Sequence, residues 1–543
     1  MVIYGNDKHP PYSSTVVNKP HANSAAEVGL TYQRLTALRE YMSKMSKHED
    51  GSATNVIRFL KNYGPVFIWF MVFVFISGAF QIAIPYPPDP DTAYHVVVGR
   101  LIHEHGILHS FPWTPFSWLA DHYADKELLF HLLFVPLAKV HWITAARIVG
   151  TLAGATLLLV LYLILRRENI RLAGIWTLIA LSGSLFFIFR FTLVRPHLLS
   201  IPLALIFLWS AVRCRFVILS LVSVIYPWAY VAFWQLPFLL LIAAETARFL
   251  SDARIRWTPA ATAAAGVAFG VAIHPNAVNL LYFNWITMSD IFFKSALGIG
   301  EVTELGPELA PYPLEAWILG LSFIVLMVVV SSIYAWRKRR QDILLLSFTL
   351  AALGFCALTI KTQRFSEYFV PFSVAAMALT SRWITWRFLP HAILGISMLY
   401  TAAEGPGLFS NVLELSDEMP PPVENYLQLQ IPKHSQVFTT EWDFTGMLML
   451  ALPDRYFMVA LDPTLFYKKN PDLYRLWYRI RREAPADSAE LIRRYFGARY
   501  VLSYNSPAHG ELYARLLADP RVRQLLYSES LLLFDLGEPE KQD

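Results

Sequence analysis

Two aspartates, Asp89 and Asp91, flank Pro90 in the run PPDPDTAYH, immediately after a long apolar stretch that ends at Tyr86. Carboxylates two residues apart on a proline-stiffened turn can act as a general base or help coordinate a divalent cation such as Mg or Mn. His95, one helical turn after Asp91, could join them as a metal ligand. A plainer role competes, in which Asp91 caps a helix running from Thr92 to His105. Basic residues recur further on: Arg190, Arg195 and His197 in FRFTLVRPHLLS, then Lys361 and Arg364 in IKTQRFSEYF. Such groups suit a phosphate or pyrophosphate, and taken singly each could equally reach toward lipid phosphates. His274 ends another apolar stretch, and Glu301, Glu304 and Glu308 follow in EVTELGPEL; any one of these glutamates reads as a solvated loop charge.

The elements that must carry these groups lie in a membrane. With 55% hydrophobic and 16% charged residues and a mean hydropathy of +0.40, an ordinary soluble protein is excluded. The net charge of +5 comes from Lys and Arg in short runs between apolar segments, which is a topology signal and a poor argument for nucleic-acid binding. Cys214 and Cys356, the two cysteines, cannot form a disulfide framework or a cysteine zinc cluster.

Residues 1–64 are polar and carry no signal-type apolar core, so this segment is expected to be cytoplasmic and partly disordered. A first span is expected from Pro65 to Tyr86, with others near 144–165, 172–189, 198–212, 216–233, 236–250, 259–274, 314–335, 343–360, 367–382 and 388–403, about eleven transmembrane helices in all. Alternate connections, RRENIR, RCR, RFLSDARIR, RKRR and RWITWR, hold fourteen Lys and Arg. By the positive-inside rule these loops and the N-terminus face the cytoplasm. The loops 85–143 and 275–313 and the tail 404–543 then face outward. The apolar but short run Glu127–Trp142 reads as a helix lying in the outer interface, because inserting it would invert every later basic loop. In the tail, strand-like SQVFTTEW, RYFMVALD, ARYVLSYN and LLLFDL alternate with helical PDLYRLWYRIRR and SAELIRRYFG, which predicts a small α/β extracytoplasmic domain. P-loop, GxGxxG and GxSxG patterns and internal repeats are all absent from the sequence.

An aspartate-containing first loop, an interfacial helix, many further spans and an outer soluble tail together resemble the GT-C superfamily of membrane glycosyltransferases. DPDTAYHVVVGRLIHEHGILHSFPWTPFSW is similar to a segment recurrent in bacterial members of that superfamily, with Tyr94 where Trp is usual and Trp113-Thr114 where an Asp is usual. RPHLLS, HPNAVNLLY, EVTELGP and KTQRFSEYFVPF extend the resemblance from about Pro65 onward. TTEWDFTG in the tail resembles the WWDYG region of oligosaccharyltransferases, which binds the acceptor peptide; Glu441 replaces the first Trp, Phe444 replaces Tyr, and Thr445 precedes the Gly. The structural alternative for Trp442 and Asp443 is a strand end and turn that packs the domain.

The resemblance implies a polyprenyl-phosphate-linked sugar donor, an extracytoplasmic glycan, lipid or protein acceptor, and inversion at the anomeric carbon. It makes Asp91 the base, with Asp89 assisting or binding metal. Arg195, His197, Lys361 and Arg364 become ligands of the donor phosphate, and Glu301, Glu304, Trp442 and Asp443 candidates on the acceptor side. In a bacterium this places the chain in the inner membrane, at work on the cell envelope. Two other classes stay open: a GT-C-like scaffold that holds a lipid-linked glycan for an assembly complex without chemistry, and a lipid or glycan transporter. A transporter favours ionisable residues inside spans, where Glu245 is the main example here.

Overall fold

The structure is a computed structural model that describes residues 63–87, 89–294, 306–415 and 419–538. It is mostly helical, with a small C-terminal sheet. Each apolar stretch named above carries a helix, from Tyr63–Ala83 through Trp142–Arg167 and His197–Val212 to Ile343–Lys361, Ser366–Thr380 and Leu389–Leu415. Large apolar side chains on their outer faces stay exposed, among them Phe75, Ile82, Val217, Trp257, Val278 and Leu399, as a lipid-facing surface requires. Among the described residues, four of these helices can cross a membrane by length and composition, or six if each of two bent pairs forms one span. Several others are short, such as the 16-residue His197–Val212 with Pro202 inside it and the 14-residue Phe216–Ala229 with Pro227.

Small residues decide how the helices approach. Gly150 and Gly154 form a G-x-x-x-G stripe on Trp142–Arg167; a Cβ at Gly150 would meet Gln81 at 2.7 Å, and one at Gly154 would meet Ser77 at 2.5 Å and Phe191 at 2.8 Å. The first span therefore sits directly on this helix. Ser77 Oγ donates to the Gly150 carbonyl and Gln81 Nε2 to the Thr192 carbonyl, at 3.4 and 3.1 Å. Arg147 adds bonds to the carbonyls of Gln81, Ile84 and Pro85. These contacts fix where the chain leaves the first span, four residues before Asp89.

Two sharp bends place further groups. Ala173–Ser182 and Leu185–Thr192 meet at 90°, with Ser184 capping the second helix, and Trp257–Ala272 meets Ala277–Asp290 at 115° across Pro275. Beyond the second bend Asn276 donates to the Leu108 carbonyl at 2.9 Å and clasps the first loop.

The first loop holds the helix Pro90–His105, and the run expected to lie in the interface forms two short pieces, Leu128–Leu132 and Val135–Leu137. They pack closely on that helix, since a Cβ on Gly99 would fall 2.4 Å from Phe134 Cβ. The tail builds a four-stranded sheet from β1 (Val437–Thr439), β2 (Tyr500–Tyr504), β3 (Arg523–Tyr527) and β4 (Leu531–Asp535), in the order β1-β2-β4-β3. The β1–β2 pair is parallel and the other two are antiparallel. Both faces are buried. Val437, Tyr500, Leu502, Leu531 and Leu533 enter a core shared with Tyr94, Val98, Phe111 and Leu128 of the first loop. Phe438, Val501, Leu532 and Phe534 point to the other side, against Trp477, Ile492 and Leu512 of the tail helices. The sheet is thus a layer between its own helices and the first loop. Two strand expectations change: RYFMVALD supplies only a single bridge, Gln436 to Tyr456, while β3 arises from RQLLY, whose polar, exposed edge gives little apolar signal.

Candidate active site

Asp89, not Asp91, caps the first-loop helix. The helix starts at Pro90, and the Asp89 carboxylate accepts from the Asp91 backbone N–H at 3.2 Å and the Thr92 hydroxyl at 3.3 Å. The expected cap therefore shifts by two residues, because proline is favoured in the first turn, where its missing N–H costs nothing. Asp91 lies in that first turn and is free of capping duty.

Arg195 is delivered by the short link between Leu185–Thr192 and His197–Val212. Its Nε donates to Asp89 Oδ2 at 2.6 Å and its Nη2 to Asp89 Oδ1. Nη2 also stands 3.2 Å from Asp91 Oδ2, and Nη1 donates to Glu308 Oε2 at 2.8 Å. One guanidinium thus serves three carboxylates. Glu308 also accepts from Arg190 at 2.8 Å and Arg364 at 3.1 Å. Arg190 in turn donates through Nε and Nη2 to Glu367, which is fully buried. The turn bearing Glu308 is tied down by Thr362, whose hydroxyl donates to the Glu308 carbonyl, and by Gln363 N–H on the Ala310 carbonyl. Four carboxylates and three guanidinium groups make one network.

The charges in that network differ in environment. Burial alone would raise Glu308, but Arg195, Arg364 and Arg190 together hold its carboxyl well below the usual range. Asp91 goes the other way: burial raises it, Arg195 lowers it in part, and the Asp89 and Glu308 charges raise it again, to about 6. The Asp91 side chain is also the more open of the two aspartates, 31% exposed against 2% for Asp89. A half-exposed carboxylate with a raised pKa beside a fixed cation suits a general base.

The other expected residues fall in several places. Arg195 and Arg364 do meet, on Glu308. Arg364 keeps its Nε without a partner. His197 lies behind the network, its Nε2 2.7 Å from the Arg190 carbonyl and its Nδ1 3.9 Å from Glu367. Lys361 ends its helix, exposed. Trp442 approaches Gly306, where a Cβ would stand 3.9 Å from the indole and 3.8 Å from Glu308 Cγ. Asp443 is exposed. Gly446, three residues on, lies against the backbone of Pro90 and Tyr94, where any Cβ would collide at 2.7–3.0 Å, so this part of the tail is pressed onto the first turn of the Asp91 helix. Glu301 and Glu304 lie outside the described residues.

His95 departs from the aspartates. Its Nδ1 meets His131 Nε2 at 2.9 Å, while His131 Nδ1 sits 2.8 Å from Asp125, and Glu127 stands 4.0 Å from His95. Burial, then His131, push the His95 pKa well below normal, so the ring is neutral at pH 7. Among the described residues, His95, Glu127 and His131 are the set whose ligand atoms converge, within 4.8 Å, closely enough to hold a metal ion. Asp89 and Asp91 converge on Arg195 instead.

Sequence reasoning passed over Glu308 as a solvated charge and missed Glu367, Glu127, His131 and Lys126. The Lys126 ammonium pairs with Glu127 at 3.4 Å, and its field reaches Asp91. Glu308 follows directly on EVTELGP and Glu367 lies inside KTQRFSEYFVPF, two stretches already noted, and that was the signal available for each.

No family profile matches the sequence, and no curated protein is detectably similar to it in sequence. Solved structures are similar in fold. The archaeal oligosaccharyltransferase AglB from Archaeoglobus fulgidus, in complex with an inhibitory peptide and a dolichol-phosphate, matches with a TM-score of 0.56 and 14% identity over 84% of this chain and 71% of that one. ArnT from Cupriavidus metallidurans bound to undecaprenyl phosphate matches with a TM-score of 0.55 and 12% identity over 88% of this chain and 98% of that one. The apo form of ArnT gives 0.55 and 13%, over 86% and 98%. The chain shares its fold with these two proteins, one an oligosaccharyltransferase solved with a dolichol-phosphate and the other solved with undecaprenyl phosphate.

Proposed function

We propose that this chain is an inverting membrane glycosyltransferase that moves a sugar from a polyprenyl-phosphate donor to an acceptor hydroxyl or amide on the outer side of the bacterial inner membrane. The observation that carries the reading is the charge count at the site. Three guanidinium groups are matched to Asp89, Glu308 and Glu367, and Asp91 remains as the partly open carboxylate of raised pKa. In the reaction Asp91 takes the acceptor proton while the acceptor atom attacks the anomeric carbon, and the bond from that carbon to the phosphate oxygen breaks on the opposite face. The leaving phosphate stays on its lipid. Arg364, with an unpartnered Nε, is the donor-phosphate ligand best supported by the geometry, and Lys126 is a second cation within reach of Asp91's field. The donors of Arg195 are spent on carboxylates, so its part is to hold Asp91 in place. His197 acts through Arg190 and Glu367, and Lys361 stands further out, where a lipid phosphate could enter. Trp442, which approaches Gly306, and its chain neighbour Asp443 are assigned to the acceptor side.

The eleven-span topology with a cytoplasmic N-terminus belongs to the same proposal. It is supported by the way basic connections gather on one face, where Arg213 and Arg382 share Glu168 and Arg382 reaches Asp342. Mass spectrometry of the polyprenyl-phosphate-sugar pool in host cells lacking the chain tests the function. One lipid-linked sugar should accumulate, and wild type but not Asp91→Asn should clear it. An unchanged pool would refute the reading.

A further inference from the structure

We propose that Arg195 takes the seat of a divalent cation: the carboxylates Asp89, Asp91 and Glu308 use an internal guanidinium as their shared counter-ion, and the site needs no metal. The inference deepens the reading of this site as catalytic and rests on it for its consequence, but not for its test.

A hard divalent cation takes about six oxygen ligands around one point, at roughly 2.0–2.6 Å. Asp89, Asp91 and Glu308 supply carboxylates of the right kind, yet their oxygens are spread along the planar fork of Arg195, with each of its three nitrogens engaged. Asp89 is held bidentately, the geometry a guanidinium matches and a lysine does not. Its oxygens are further committed to the Asp91 N–H and the Thr92 hydroxyl. Glu308 is shared with Arg190 and Arg364, so a metal seeking it must displace three cations.

Charge balance points the same way. Asp89, Asp91, Glu308 and Glu367 against Arg190, Arg195 and Arg364 leave one net negative charge; adding a divalent ion would reverse the sign and set it beside three guanidinium groups in a partly buried site. The guanidinium is also fixed where a metal would exchange. The Arg195 carbonyl accepts from Leu198 N–H at 3.1 Å at the start of His197–Val212, and the side chain is only 14% exposed. A cation bound covalently to the chain cannot be removed by chelation, and it orients Asp91 before substrate arrives.

The experiment is an electron paramagnetic resonance titration of the purified, detergent-solubilised chain with Mn2+ at pH 7.5, always as the difference between a protein and its Asp89→Asn counterpart. That difference removes any ion held by His95, Glu127 and His131. Wild type should show no Asp89-dependent Mn2+ up to about 1 mM, the weak end of protein sites for divalent ions. Arg195→Gln should gain about one Asp89-dependent Mn2+ per chain with affinity raised at least about a hundredfold, and Arg195→Lys, which keeps the charge, should not. Asp89-dependent Mn2+ in wild type overturns the proposal, whatever the fate of the variants. A folded Arg195→Gln that gains none overturns it as well. Neither result depends on sugar transfer, so a failure here is separable from a failure of the glycosyltransferase reading.

Discussion

Arginine and carboxylate cluster at both ends of the 26-residue helix Trp142–Arg167, roughly 35–40 Å apart along its axis. At the C-terminal end Glu168 accepts from Trp209 and from Arg213 and Arg382, and Arg382 also pairs with Asp342. Arg167 stacks on Trp209 there as well, so three arginines stand against two carboxylates, and Arg213 is 42% exposed. Near the N-terminal end the order is inverted: four carboxylates surround three arginines, and Glu367 has no exposure at all. The same two groups thus make a staple that ties basic loops together in one place and a site with a carboxylate left over in the other. What separates them is the sign of the surplus and the depth of burial, and neither is visible in a pairwise contact.

The largest effect that would sharpen this contrast is at Glu367. Truncating it to Ala leaves Arg190 buried and half-paired, which should cost about 3–5 kcal/mol in chemical denaturation of the detergent-solubilised protein. A loss under about 1 kcal/mol would mean that the deep network is as replaceable as a surface pair.

The next effect follows from Asp91. Its folded pKa is about 6 against an ordinary 3.8, so the ionised form is disfavoured in the folded state. The sign follows: stability is unpenalised below about pH 4 and is lost as pH rises to about 6. Under the proposed mechanism transfer needs the ionised form and should fall about tenfold per unit below pH 6. Asp91→Asn should abolish that segment of the pH–stability curve and be neutral or stabilising at pH 7.5; a variant markedly less stable than wild type there would make Asp91 a structural anchor like Asp89.

The smallest effect lies on the basic face. Arg213→Ala should change stability by about 1 kcal/mol or less and leave transfer unchanged, since an exposed arginine gains little from its pair and Arg382 still holds Glu168. A large loss of transfer would mean that the two clusters are coupled through the helix between them.

Much of this was legible in the sequence, for physical reasons that also mark where legibility stops. Apolar runs are local, so the stretches read as spans all carry helices, and PDLYRLWYRIRR and SAELIRRYFG form Pro471–Glu483 and Ser488–Phe496. The DPD turn drew attention by its composition. Its division of labour did not follow from composition, because a cap is decided by which residue precedes the first helical turn, and Pro90 moved it to Asp89. The partners of the site were hidden by distance along the chain: Arg195 meets Asp89 across 106 residues, and Arg190 meets Glu367 across 177. Glu127 and His131 sat inside an apolar run whose hydropathy suggested an interfacial helix, whereas the fold buries them under the Asp91 helix beside His95. The tail read as a separate domain, yet Leu502 and Leu533 share a core with Tyr94 and Phe111, a relation only packing reveals.

The central claim is that Asp91 is the base left over when every other carboxylate at the site is paired. The most direct test is single-turnover transfer in proteoliposomes loaded with the lipid-linked sugar that accumulates in cells lacking the chain, comparing wild type with Asp91→Asn while donor occupancy is followed by native mass spectrometry. The account predicts unchanged occupancy and a transfer rate lower by about 10²–10⁴-fold. Transfer by Asp91→Asn within a few-fold of wild type at full donor occupancy would contradict it.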